Sequence, residues 1–478
     1  MLPDDVLLKI SDFYVDEDFG PLEKQRIGKW TTLAHVCRRW RSVVFYSPRR
    51  LNLRLVCTPK SPGMDTLDIW PPLPLVIRNV HLIFNDEPSS MDNTIAALER
   101  NDRVCQIVLR HLTSLQMEYV TASAAMRKPF LELTDLHLGV SVGRGPGPML
   151  RESFLGGTAP RLRSLDLYCI PFPGLPKLLL SAPHLVYLSL HDIPPSGYIP
   201  PEAMATSLSA LTSLGSLRLQ FRYPRPRPAL ESRRPLPPPL TRSILRSLTS
   251  IQFHGASEYL EEIWARIDAP RLNKMDITFF NQIIFDTPQL FRFISRRSTL
   301  GAPEKGLIEF SSEAIIIKFL SQTSAGDYDH YGVSSLEIRC AASEWQLSSL
   351  EQVCTSSLPP VSMLEDLYIF DDRENPPRWQ DDVENTLWLE LLHPFVAVKN
   401  LYLCKKFIPR IAPALQELVG GRTTEVLPTL KNIFLKGFQL SEPLHEGIEK
   451  FVAARRLTSH PVAVFRWDWD RRWEFCYW

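Results

Sequence analysis

Hydrophobic positions along the chain follow two periods, one helical and one extended. In residues 1–50 they recur every three or four positions. Leu2, Val6, Leu7, Ile10, Phe13 and Tyr14 lay an apolar stripe along one short helix. Trp30, Leu33, Val36, Cys37, Trp40, Val43 and Val44 lay a second, with Arg38, Arg39 and Arg41 on its opposite face. Pro3 suits a first helical turn, where its missing N–H has no partner to lose, and Asp4 and Asp5 sit near the positive end of the dipole. Two such helices cannot bury both stripes alone. Farther on, a unit of the form L-x-x-L-x-L recurs with conservative replacements. It reads LRSLDL (162–167), LVYLSL (185–190), LGSLRL (214–219), LTSIQF (248–253), LNKMDI (272–277), LEDLYI (364–369), VKNLYL (398–403) and LKNIFL (430–435).

Successive starts lie 23, 29, 34 and 24 residues apart in the first five units, then 34 and 32 in the last three. Each unit predicts a short strand, Leu positions inward and x positions outward, then a helical or irregular return. Return helices are expected at 175–180, 201–211, 259–267 and 289–296. In APRL (159 and 269) and APHL (182), a Pro just before the strand ends the preceding helix without costing a ladder bond. No unit covers its own apolar face, so neighbours must stack. The pattern predicts an α/β chain with a helical module at 1–50, a linker at 51–77 and an irregular solenoid (horseshoe) at 78–478. A mixed α/β domain with several similar strands in one sheet satisfies the same pattern.

The sequence LPDDVLLKI, followed at some distance by WTTLAHVCRRWRSVV, resembles an F-box, the helical module that docks onto the Skp-type adaptor of cullin-based ubiquitin ligases. The Leu-Pro opening, the Val-Cys-x-x-Trp core and SPRRLNLRLVCTPKSPGMDTLDIWPPLPLVI (47–77) are similar to the F-box proteins abundant in mushroom-forming fungi. The resemblance covers about the first 75 residues. It implies that Leu2, Pro3, Leu7, Ile10, Val36 and Trp40 build or present the adaptor-binding surface. It also implies that the following repeats, whose periods sit at or above those of leucine-rich repeats, hold a protein target for ubiquitin transfer by other subunits. The chain itself would then be no enzyme. The residues alone also allow an amphipathic cap sealing a larger domain, and a repeat scaffold independent of any ligase.

Composition narrows the partners. The chain has 478 residues, 44% of them apolar, ample for a large or extended core, and its formal net charge of +1 gives no global field toward nucleic acid or an anionic membrane. Its eight cysteines form no closely spaced clip; the nearest pair is Cys340 and Cys354. That pattern argues for buried thiols in a reducing compartment and against zinc. With no N-x-[ST] sequon, no apolar run of bilayer length and an acidic amino terminus, a cytoplasmic or nuclear protein is expected.

Candidate chemistry is sparse, and no cofactor or metal is expected. Gly139-Val140-Ser141-Val142-Gly143 matches the G-x-S-x-G nucleophile elbow and follows the strand-like LTDLHL (133–138). An elbow must enter a helix directly, whereas RGPGP follows here, so Ser141 reads as a loop serine. His184 and His191 flank one strand, too isolated for a metal site. Proline and arginine dominate 221–241, with Glu231 its lone acid, which predicts an exposed, PPII-like loop. That loop is either a solvated insertion or a ligand for SH3- or WW-like domains. A second polar loop is expected at 321–332. The aromatic end, 464–478, with Trp467, Trp469, Trp473, Phe475, Tyr477 and Trp478, predicts a final strand that caps the array or contacts a target. Arg38, Arg39, Arg41, Arg49, Arg50 and Arg54 could meet phosphates but lack interleaved aromatics, and read as a solvated face. The outward residues expected to choose a target are Arg163, Ser164, Asp166, Val186, Tyr187, Ser189, Gly215, Ser216 and Arg218.

Overall fold

A computed structural model of the chain describes residues 3–16, 33, 35–46, 54–60, 67, 72–79, 88–141, 147–222, 242–280, 287–296, 303–320, 333–339, 345–356, 359–372, 375–377, 385–420, 422–437 and 444–467. Leu2, the Pro/Arg-rich stretch at 223–241, the polar stretch at 321–332 and the aromatics beyond Trp467 lie outside them. The chain divides into two compact units, Met1–Leu214 and Gly215–Trp478, at a point where the hydrophobic pattern shows no break.

In the first unit, helices α1 (Asp4–Asp16) and α2 (Arg38–Tyr46) pack on each other. They are followed by β1 (Leu55–Cys57), β2 (Leu75–Arg78), α3 (Asp92–Leu98), β3 (Val104–Leu112) and α4 (Ser114–Ala122). Then come β4 (Asp135–Val140), β5 (Ser164–Tyr168), α5 (Leu175–Leu180), β6 (Tyr187–Ile193) and α6 (Pro201–Ser209). Strands β1 to β6 pair in chain order, all parallel where the register is defined. The segment expected as a linker, 51–77, therefore carries β1 and most of β2 as paired strands. Two further repeat units lie before residue 162. Val104, Ile107 and Leu109 are fully buried, as are Leu133 and Leu136, with Leu138 at 1% exposure. The first escapes the pattern because Val and Ile replace its leading leucines.

The second unit runs β7 (Ser216–Phe221), β8 (Ser243–Ile244), β9 (Ser250–Gly255), α7 (Ser257–Arg266), β10 (Ile267–Asp268), β11 (Lys274–Phe279) and α8 (Pro288–Ser295). It continues through β12 (Lys305–Phe310), β13 (Ala314–Leu320), β14 (Val333–Arg339), α9 (Trp345–Ser356), β15 (Asp366–Asp371) and α10 (Asn385–Leu392). It ends with β16 (Asn400–Cys404), α11 (Ile408–Glu417), β17 (Asn432–Lys436), α12 (Glu446–Leu457) and β18 (Ala463–Trp467). The sheet order is β7-β9-β11-β14-β13-β12-β15-β16-β17-β18, while β8 and β10 pair separately. The long interval between the repeats at 272 and 364 thus holds a meander. Its β13 runs antiparallel to both neighbours, and β14 rather than β12 continues from β11. Its strands alternate every second residue but lack the spaced leading leucine, so the repeat pattern does not reveal them.

Burial explains why the repeats fold alike. Every apolar position of the eight units found by sequence is at most 6% exposed, the largest value being that of Met275. A further position, three residues before the leading leucine, is equally dry: Phe130, Ala159, Ala182, Leu211, Leu245, Ala269, Val361, Phe395 and Leu427 are 2% exposed or less. In each case the carbonyl of that residue accepts from the amide of the leading residue, at 3.1–3.4 Å. This closes one tight turn per repeat. Pro160, Pro183, Pro270 and Pro428 fall at the second position of such turns, where a fixed φ is already the required one. The expected return helices are present within two residues of their anticipated ends, as α5 to α8.

Candidate functional site

The amino-terminal helix pair is the first surface the sequence singles out. The Pro3 carbonyl accepts from the amides of Val6 and Leu7 at 3.1 and 3.2 Å, which starts α1. Leu7 and Leu8 turn inward at 4% and 7% exposure, with Leu33 at 6% and Val44 fully buried. Asp4 ties the helices together, accepting from Arg39 Nε at 3.0 Å and Nη2 at 2.7 Å. Both partners are well solvated, so this pair sets orientation more than stability. On the outer side, Val6 and Ile10, four residues apart on α1, are 38% and 40% exposed, and Val36 is 60% exposed. Of the residues singled out by sequence, Pro3 is exposed, Trp40 half-buried and Leu7 part of the pair's core. Leu7 is thus enclosed, whereas Pro3, Ile10, Val36 and Trp40 keep contact with solvent.

In the first unit, the outward positions of β3, β4 and β5 bring Arg110, His137 and Asp166 together. Arg110 Nη2 donates to Asp166 Oδ2 at 3.0 Å and lies 3.0 Å from His137 Nδ1, itself 3.4 Å from the same carboxylate oxygen. Burial alone would raise the Asp166 carboxyl, but His137, Ser189 and Arg110 around it hold it below its ordinary value. Ser189, expected to face a target, is fully buried instead. It stands directly across from Asp166 in register, and so short a side chain among larger neighbours does not reach the surface. The other expected target-facing residues keep some exposure, with Val186 the most open of the apolar ones at 47%.

The candidate nucleophile is a loop residue. Ser141 follows β4, its hydroxyl donates to the His111 carbonyl at 2.8 Å, and residues 147–150 are not helical. His184 is exposed, and the His191 ring lies 6.0 Å from that of Tyr168. Among the described residues no group of three His, Cys, Asp or Glu is arranged to hold a metal ion, and no helix is long and apolar enough to cross a membrane.

Strands of the second unit carry a feature that sequence reasoning missed. Tyr368, Tyr402, Phe434 and Phe465 stand in register on β15 to β18 and stack in one row. Their ring centroids are 4.1, 4.5 and 5.2 Å apart, with planes within 9°, 9° and 19°. The signal was available, because the first three occupy the same fifth position of L-x-x-L-x-L. Beside this row runs a polar one. Asn432 Nδ2 donates to Asn400 Oδ1 at 2.7 Å, and Asn400 Nδ2 to Asp366 Oδ1 at 2.6 Å. On the other side Phe370 lies 5.9 Å from Tyr368, with Lys436 Nζ 5.4 Å above its ring. Burial, reinforced by Asp366, pushes both tyrosine hydroxyls up from their ordinary value, so both stay protonated.

The fold and these faces define a protein of stacked strand-and-return repeats. No protein-family model matches the chain. No curated protein matches it in sequence. Among solved structures it is similar to the leucine-rich repeat-containing protein LegL7 from Legionella pneumophila, at 13% identity over 85% of this chain and 98% of that one, with a TM-score of 0.27. The repeat assignment rests on this chain's own register, burial and turns.

Proposed function

We propose that this chain is a substrate-recognition adaptor of a cullin-type ubiquitin ligase. Its helix pair would bind a Skp-type adaptor, and its repeats would hold a protein target in the cytoplasm or nucleus. The observation that carries the reading is the helix pair's division of faces. Leu7, Leu8, Leu33 and Val44 are buried, yet Val6, Ile10 and Val36 remain exposed. Apolar side chains left open next to a filled core are what a docking helix pair needs and what a sealing cap does not. The chain would contribute no catalytic group. Its effect on rate would be proximity, holding target and conjugating enzyme at raised effective concentration.

The test is co-purification with the Skp-type adaptor of the same host. Ile10→Glu/Val36→Glu keeps both helices, since the sites are open to water, and places two carboxylates in the contact. Capture by wild type and loss in the folded variant supports the adaptor role. Equal capture by both, or none by either, removes it and leaves the repeats as a ligase-independent scaffold for protein–protein interaction.

A further inference from the structure

Charge is unevenly spread along this chain. Residues 222–297 hold thirteen lysines and arginines against seven acids, whereas the whole chain comes to +1. Three of those arginines gather at α8, a return helix of the second unit. Gln289, Arg292 and Arg296, spaced three and four residues apart, share one side of that helix, while Leu290, Phe293 and Ile294 are buried. Arg242, just before β8, donates from Nη2 to Gln289 Oε1 at 2.8 Å, which places its guanidinium on the same side. Its Nη1 is shielded from water and meets no acceptor among the described residues. Arg292 and Arg296 are exposed, and neither is held by a carboxylate among the described residues. The acid that reaches this end of α8, Glu261, is committed to the helix's first turn, accepting from the amides of Gln289 and Leu290 at 2.7 Å each. Glu262 faces Arg266 at 4.0 Å. Burial, then Arg296 and Arg292, push the Arg242 guanidinium down from its ordinary value, and no carboxylate offsets them.

We infer that Arg242, Arg292 and Arg296 form an anion site that takes a phosphate monoester dianion. Like charges gathered without a counter-ion repel one another, and an anion seated among them removes that repulsion. A guanidinium presents its donors in a planar fork that matches carboxylate and phosphate oxygens alike. Charge and oxygen count separate the two. A carboxylate brings two oxygens and one charge. A phosphate monoester brings three terminal oxygens and nearly two charges at neutral pH, enough to engage a fork from each arginine. One of its oxygens supplies the acceptor that Arg242 Nη1 lacks. The monoester arrives either on a partner protein or free in solution. None of the three arginines belongs to the helix pair, so the site does not depend on the ligase role.

The test is fluorescence anisotropy of a labelled twelve-residue Gly-Ser peptide carrying one phosphoserine, with the full chain. Two controls of the same length carry serine or glutamate in place of the phosphoserine. The phosphopeptide is expected to bind about tenfold or more tightly than either control. Arg292→Gln/Arg296→Gln, at two water-exposed positions, should weaken it by about the same factor, as should Arg242→Gln; if circular dichroism shows Arg242→Gln misfolded, the double variant decides. Arg456→Gln, at an exposed arginine of α12, should leave binding unchanged. Competition by inorganic phosphate reads the source. Displacement near the peptide's own Kd means that phosphate alone is recognised, displacement only far above it means that the flanking peptide contributes, and either supports the site. No saturable binding up to about 1 mM, equal binding of the glutamate peptide, unchanged binding by the double variant, or an equal loss in Arg456→Gln overturns it. Tighter binding of a single-stranded oligonucleotide with the same losses also overturns it, assigning the arginines to phosphodiesters instead. Adaptor capture by the same preparations reads the ligase role separately.

Discussion

Gly447 stands where α12 crosses α11, and replacing it by alanine sets two effects of opposite sign against each other. A methyl group there would lie 2.5 Å from the Ala412 carbonyl oxygen, 2.8 Å from its carbonyl carbon and 3.3 Å from its Cβ. The carbonyl belongs to the body of α11 and has no rotamer through which to yield, so relief requires the helices to part. In favour of alanine is the entropic cost of glycine in a helix, at most about 1 kcal/mol and less in a first turn. Gly447 lies in such a turn, two residues after the His445 cap. Against it, overpacking a filled contact costs about 1–3 kcal/mol. Ile448 and Phe451 on the same helix are fully buried and Val452 is 7% exposed. A gap of about 0.5–1 Å around them forfeits a quarter to a half of each contact's attraction. The expected net effect is a loss of about 1–2 kcal/mol, or about 2–8 °C in Tm for a unit of this size. Thermal unfolding followed by far-UV circular dichroism measures it, on Gly447→Ala and on Gly447→Ala/Ala412→Gly. The closest contacts are backbone atoms, so trimming Ala412 does not rescue. A single variant at or above the wild-type Tm, or recovery in the double, refutes the close-backbone account.

Three other outcomes follow from the described residues. Asp166 is held below its ordinary carboxylate value, so its stabilisation is complete above the unfolded pKa and lost as pH falls through the folded one. Asp166→Asn should therefore lower the unfolding free energy from urea titration by about 1–2 kcal/mol at pH 7 and by less at pH 3; a gap independent of pH would contradict the assignment. Burial pushes the thiols of Cys57 and Cys404 up to about 11, and Cys37 is exposed. N-ethylmaleimide at neutral pH should modify Cys37 ahead of Cys57 and Cys404, and peptide mass mapping that finds Cys57 or Cys404 modified as fast would argue against their burial. Trp264 is fully buried 3.8 Å from the Phe293 ring, and its Nε1 meets no acceptor among the described residues. Trp264→Ala should cost about 3–5 kcal/mol, whereas Trp264→Phe sheds an unpaired N–H worth about 1–3 kcal/mol against its lost volume and should cost far less; equal losses in guanidinium melts would sink that reasoning.

How much of this was legible in the sequence depended on whether a residue's role was local. The inward positions of the repeats were legible because burial at Leu162, Leu165 and Leu167 is imposed by period alone, and the same holds in each later unit. The return helices α5 to α8 were legible for the same reason. Strands β1 and β2 were not, because three and four residues are too few to show a period. The meander was not, because the exchange of β12 and β14 in sheet order is a long-range choice that alternation does not encode. Ser189 misled because the x positions are outward only on average: the size of the neighbours, not parity, decides whether a short side chain meets water. The aromatic row was written at one position of three successive units, but it became a site only when the register set those positions side by side.

The inward and outward positions therefore carry different kinds of information. Leucine, isoleucine and valine at the inward positions do the same thing in every repeat, filling a layer against the next, and nothing in that layer distinguishes one target from another. Selectivity has to come from the outward rows, and in the two units these differ in chemistry. The first presents Arg110, His137 and Asp166, a charged cluster whose members engage one another. The second presents rings whose faces are used on each other and whose edges remain. A cluster whose charges already engage one another gives a partner less to neutralise. A stack of rings keeps its edges whether or not anything is bound. The second row is for that reason the better place to search for the target, and the charged cluster is better read as the element that fixes its own strands.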